Sequence, residues 1–118
     1  MLLILALLAA APQTQAEMTR SAGTEFTAAD AAMTRQWRAT HADMKRRDTQ
    51  DRSRGGGFGY AAALLASQRA WLRYRDAECV IEGGQFAGGS AQSMATASCK
   101  ARLTRARTAQ LKTLIWSR

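Results

Sequence analysis

Several features are scarce in this 118-residue chain, and each scarcity narrows the choices. No run of roughly 20 apolar residues is present, the length a membrane-spanning helix needs. There is no strand-like alternation and no internal repeat, so neither a sheet fold nor a solenoid is expected. Histidine occurs once, His41, without cysteine or histidine neighbours at ligand spacing, which speaks against a zinc site. Ser90 sits in a glycine-rich turn but lacks the G-x-S-x-G surroundings of a nucleophile elbow. Gly55-Gly56-Gly57 lies beside arginines but lacks the Gly-Lys-Ser/Thr ending of a P-loop. Nothing in the chain assembles acid–base machinery, so no catalytic residue, metal or cofactor is assigned and the protein is not expected to be an enzyme.

What is present begins with an apolar run at residues 2–11, followed by Thr14-Gln15-Ala16. The run is too short to span a bilayer and fits the hydrophobic region of a signal peptide, with small residues at a cleavage site after Ala16. No lysine or arginine precedes it, and no cysteine near its end offers a lipid-attachment site. A buried N-terminal helix is the alternative reading. Export to the periplasm or medium makes a Cys79–Cys99 disulfide the natural state of the two cysteines, with two buried thiols as the alternative. Such a bridge closes about 20 residues and contributes about 3 kcal/mol.

The formal net charge is +8, and residues 1–16 carry none of it. Residues 90–118 hold Lys100, Arg102, Arg105, Arg107, Lys112 and Arg118 with no acidic residue. Residues 60–82 instead balance Arg69, Arg73 and Arg75 against Asp76, Glu78 and Glu82. The imbalance points to an anionic partner or surface, or to a solvated face that keeps the protein soluble.

Three helices are expected. Thr27 followed by Asp30 resembles an N-cap with an acidic first turn, and Met33, Trp37 and Met44 recur at helical spacing, so a first helix should run from Ala28 to about Arg47. Residues 17–26 read as a polar, frayed lead-in. Residues 48–59 are a break, flexible or exposed. A second helix covers 60–82, with Leu64, Leu65, Gln68, Trp71, Leu72, Arg75 and Cys79 on one stripe. Gly83-Gly84 stops it. Ser90 caps a third helix lined by Met94, Cys99, Leu103, Ala106, Leu111, Leu114 and Ile115. The fold class is therefore all-α: an antiparallel helical hairpin with one disulfide, preceded by an N-terminal helix.

The disulfide sets the hairpin register, with facing residue numbers adding to about 178. Trp71 then faces Arg107, Arg75 lies near Leu103, Gln68 near Gln110, Leu64 near Leu114 and Asp76 near Arg102. Trp71 is expected in the core, stacked with Arg107. Arg75 needs a partner, with Asp76, Glu78 and Glu82 nearest on its own helix. Thr104 is expected to bond back to the Lys100 carbonyl.

The segment Gln68-x-x-Trp71-x-x-Tyr74-Arg75-Asp76-x-x-Cys79, followed by Cys99, Thr104, Arg107 and Leu111, resembles the LprI family of lysozyme inhibitors. The resemblance covers residues 60–114, within a domain taken as 27–118. It implies an exported, disulfide-bonded helical domain and lysozyme, or another envelope protein, as partner. Many relatives carry a further cysteine pair that this chain lacks.

Two functions follow as expectations. An inhibitor can block the two carboxylates in a lysozyme cleft by inserting a cationic loop. The segments 52–59 and 83–90 are candidates, with Arg52 and Arg54 supplying charge. Against this, many lysozymes are basic and repel a +8 protein at long range. The alternative is adhesion to an anionic envelope polymer or lipid surface through Lys100, Arg102 and Arg105. A nucleic-acid partner is not expected of an exported protein.

Overall fold

A computed structural model describes residues 12–52, 55 and 57–116. Arg54, residues 1–11 and the C-terminal Arg118 lie outside the described residues. The described residues form three helices: α1 (Gln15–Gln50), α2 (Tyr60–Gly84) and α3 (Gln92–Thr113). The Cys79–Cys99 disulfide joins α2 to α3, with 5.5 Å between the two Cα atoms.

α1 starts more than a dozen residues before the expected position at Ala28, and the polar stretch 17–26 is helical. The reason is visible in the buried face. Ala22, Ala29, Met33, Thr40, Met44 and Arg47 are buried at steps of three, four or seven, with half-buried Phe26 between the two alanines. Thr27, which reads as a cap, is satisfied inside the helix: it donates to the Gly23 carbonyl one turn back, as Thr24 and Thr34 do to Arg20 and Asp30. The cap is Thr14, whose hydroxyl accepts from the Glu17 amide while the Glu17 carboxylate accepts from the Thr14 amide. The resulting helix is about 54 Å long.

α2 and α3 form the expected antiparallel hairpin. The α2 stripe is confirmed at Leu64, Gln68, Arg75 and Cys79, all buried. Ser90 does not cap α3. The cap position is Ala91, and no side chain bonds there. α1 runs antiparallel to α2 and parallel to α3. Gln15 meets Met94 at one end, Thr40 donates to the Leu111 carbonyl in the middle, and Arg47 donates to the Leu114 carbonyl at the other end. α3 packs chiefly along α1, where Ala22, Ala29, Ala101, Thr40 and Thr104 are small enough to let the backbones approach.

The α1–α2 connection is partly pinned. The Asp48 carboxylate accepts from the amides of Gly59, Tyr60 and Ala61, capping α2 from the preceding helix. Gly57 packs against the Asp48 backbone at φ +92°, and a Cβ there would lie 2.3 Å from the Asp48 carbonyl oxygen. Gly83 does more than end α2. It is buried, and a Cβ would meet the Thr96 hydroxyl at 2.2 Å, so it lets α2 and α3 close up beside the disulfide.

Candidate functional site

Halfway along the bundle, the core turns polar. Gln68 and Arg75 from α2 and Thr104 and Arg107 from α3 are all buried. The Arg107 Nε donates to the Gln68 side-chain oxygen at 3.0 Å, and its terminal nitrogens donate to Ser67 at 3.1 Å and Gln110 at 3.4 Å. None of these partners carries charge. Burial pushes the Arg107 pKa down from its ordinary value. A guanidinium nevertheless stays protonated in any physiological medium.

Arg75 is compensated differently. It pairs with Asp76 at 2.9 Å and with Asp30 of α1 at 3.7 Å, and it donates to the Thr104 hydroxyl at 3.3 Å. Asp76 is one of the three carboxylates on its own helix that were expected as candidates, with Glu78 and Glu82. Asp30 was not, because contacts with α1 could not be registered without a disulfide or motif to align them. Thr104 acts as acceptor for Arg75 in place of the expected bond to the Lys100 carbonyl.

Trp71 lies between the two arginines, with Arg75 5.4 Å and Arg107 5.9 Å from its ring. The Trp71–Arg107 contact matches the register. Trp71 itself is half-buried at the edge of the apolar cluster, not enclosed within it. Phe26 of α1 also lies beside Arg75, its ring centre 5.1 Å away. Leu111 is fully buried.

The other charged positions occupy the surface. Arg102 pairs with Glu82, not with Asp76 as expected. Lys100 pairs with Asp76 at 3.9 Å. Of the three α3 cations considered for an anionic surface, Lys100 and Arg102 thus have carboxylate partners, while Arg105 is exposed. Arg52 is exposed just beyond α1. The segments 52–59 and 83–90 fall at opposite ends of the bundle, since one joins α1 to α2 and the other α2 to α3. They cannot form one insertion surface. His41 stacks on Trp37 with ring centres 4.6 Å apart.

This polar waist of the bundle uses its buried donors on one another and on neighbouring acceptors. The outer side of α2 is open. Ala63, Ala66, Ala70, Tyr74, Ala77, Val80 and Ile81 are all exposed. Tyr74 is 55 % exposed, Val80 68 % and Ile81 67 %. Arg69, Arg73 and Asp76 are exposed on the same helix, but an outer face that gathers this many apolar side chains among its charges marks a partner site. Sequence reasoning missed this stripe because the alanines and Tyr74 do not stand out beside the inner one.

Comparison with known proteins supplies the family. The family model described as lysozyme inhibitor LprI matches residues 9–111. The chain belongs to the LprI family. The match takes in α1 as well as the motif-bearing hairpin. An uncharacterized protein of Rhizobium meliloti is 36 % identical over 104 residues, covering 87 % of this chain and 75 % of that relative. No solved structure matches. Within the LprI motif, Gln68, Arg75, Thr104, Arg107 and Leu111 are buried, and Asp76 pairs with Arg75. Tyr74 is the motif residue the interior does not use.

Proposed function

We propose that this protein is an exported lysozyme inhibitor that acts by binding, without catalysis, and that the exposed face of α2 is its contact surface. Membership of a family described by lysozyme inhibition supports the activity. The observation that carries the surface is Tyr74, a motif residue pointing outward among exposed Val80, Ile81 and alanines.

Charge favours the same face. α2 holds three arginines and three carboxylates, whereas α3 holds five cations and no carboxylate. A basic lysozyme is repelled least by the balanced helix. Aromatic and aliphatic side chains on a flat helical face also bury area on contact with little loss of conformational freedom. The cationic segment around Arg52 is the weaker candidate for insertion, because Gly59, Tyr60 and Ala61 are bound to Asp48.

Export rests on the apolar run and on cleavage after Ala16. Cleavage would remove Thr14 and its capping box, so the exported helix would fray in its first turn. N-terminal sequencing of periplasmic material should begin at Glu17. Inhibition is tested by lysozyme clearing of a cell-wall suspension. Tyr74→Glu with Ile81→Glu should weaken inhibition at least about tenfold and leave the thermal melt unchanged. Failure of the wild-type protein, in large excess, to slow any of several lysozymes would overturn the reading.

A further inference from the structure

One end of the bundle combines exposed aromatic and aliphatic side chains with exposed cations. The apolar side chains Phe58, Ile115 and Trp116 are 51 %, 40 % and 49 % exposed. The same end, where α1 and α3 finish, carries Lys45, Arg46, Arg52 and Lys112, all exposed. We propose that this end docks on an anionic phospholipid bilayer, with the aromatic tip at headgroup depth and the cations on lipid phosphates.

The end is a single physical unit. Trp116 and Tyr60 line one apolar pocket of about 190 Å3 with Met44, Leu64 and Leu114. Phe58 rests on Tyr60, with ring centres 4.6 Å apart. Arg47 fixes the indole from below. Its guanidinium carbon is 3.9 Å from the Trp116 ring, and one terminal nitrogen donates to the carbonyls of Leu114 and Trp116. The Trp116 ring is therefore held in position while half open to solvent. The Arg47 side chain is itself 6 % exposed, and its Nη1 has no hydrogen-bond partner.

Charge then selects the occupant. Asp43 is taken by Arg46 and Arg47, and Asp48 by three backbone amides. Asp51, the remaining carboxylate at this end, is also engaged. The cations at the rim outnumber the carboxylates. Tryptophan beside lysine and arginine is the pairing that settles at a membrane interface, where the ring displaces headgroup water and the cations meet phosphate. The face of α2 is apolar but electrically balanced, which suits a protein instead. The two surfaces lie on different parts of the bundle, so one need not obstruct the other.

The test is co-sedimentation of the full protein with vesicles of phosphatidylcholine alone or mixed with phosphatidylglycerol. Binding should require the anionic lipid and weaken steeply with salt. Neutralising Arg46 and Lys112 to glutamine should cost roughly fivefold per charge. Trp116→Ala should weaken binding by roughly tenfold. Because Arg47 packs on Trp116, Phe58→Ser serves as a second variant, with both melts measured. Trp116 fluorescence, read in a variant with Trp37 and Trp71 changed to phenylalanine, should be quenched by brominated acyl chains. Equal binding to neutral vesicles, or full binding by a folded Trp116→Ala, Phe58→Ser protein, would overturn the proposal. Equal affinity for soluble dextran sulfate without dependence on Trp116 would also overturn it, in favour of a polymer. Tyr74→Glu, Ile81→Glu should bind vesicles normally, so a failed inhibition assay and a failed lipid assay are separable.

Discussion

The interior has two halves built on different physics. From the α1–α2 connection inward to Met33, which touches Gln68, the side chains of Met33, Met44, Leu64 and Leu111 form an apolar cluster, closed by Trp37, Leu72 and Leu114. At the waist, the same helices bury Gln68, Arg75, Thr104 and Arg107. The apolar cluster accepts many side-chain combinations of the right volume. The waist accepts few, because each buried donor loses water and must find an acceptor at a fixed place. Burying a guanidinium gains little net stability even when it is well paired, but a slipped helix leaves it stranded. The apolar end should therefore hold the energy and the waist the alignment.

The largest expected effect lies at the apolar end. Leu111→Ala removes a fully buried side chain and should destabilise by about 2–5 kcal/mol in urea unfolding. A loss below 1 kcal/mol would mean that the cluster is not the main source of stability. Breaking the disulfide comes next. Replacing Cys79 and Cys99 together by alanine should cost about 3 kcal/mol, since a 20-residue loop is released in the unfolded chain. The α2–α3 alignment should survive, because the Arg107–Gln68 and Arg75–Thr104 bonds still fix it. Amide exchange that collapses selectively in the α2–α3 hairpin would show the disulfide, and not the waist, to be the aligning device.

The comparison can be sharpened inside the waist. Gln68→Leu leaves the Arg107 guanidinium without its shortest hydrogen bond and should cost about 1–3 kcal/mol. Adding Arg107→Leu removes the stranded charge and should recover most of that loss. Strict additivity of the two substitutions would contradict a coupled pair. Arg75 should behave otherwise, because its carboxylates Asp30 and Asp76 are about half exposed and can return to water.

The hairpin and α1 also differed in how far the sequence revealed them. The hairpin was legible because the motif, the glycine break and the two cysteines all point to one register, and Trp71 does meet Arg107. The register failed in detail where long side chains reach along the helix: Arg102 extends to Glu82 and leaves Asp76 to Arg75 and Lys100. α1 was half legible. Its later turns carry methionine and tryptophan, but its early turns bury only alanines and part of Phe26. Small residues give a weak periodic signal even when they pack closely. Trp71 read as core from its place on the stripe, yet the stripe is wider than the contact and leaves the ring at the edge. Asp48 was hidden because it caps a helix more than ten residues away, across the glycines.

That cap yields the smallest and most specific test of the apolar end. Gly59 occupies the N-cap position of α2 and has no side chain to offer, so the Asp48 carboxylate substitutes for it. Hydrogen bonding from the Ala61 amide, joined by those of Tyr60 and Gly59, holds the Asp48 pKa below its ordinary 3.8 and outweighs the opposing effect of burial. The helix N-terminus favours the same anionic form. With the folded pKa depressed, the unfolded chain binds its proton first as pH falls. The stabilisation is complete well above 3.8 and drains away as pH drops through the folded value. Asp48→Asn keeps one acceptor but no charge. At neutral pH it should be less stable than the wild type, and the gap should close on acidification below the ordinary aspartate range. Denaturant midpoints of both proteins across that range read the difference directly. A gap that stays constant into strong acid would show that the carboxylate acts by shape alone, leaving the α1–α2 connection to be held by Gly57 and the packing of Phe58 on Tyr60.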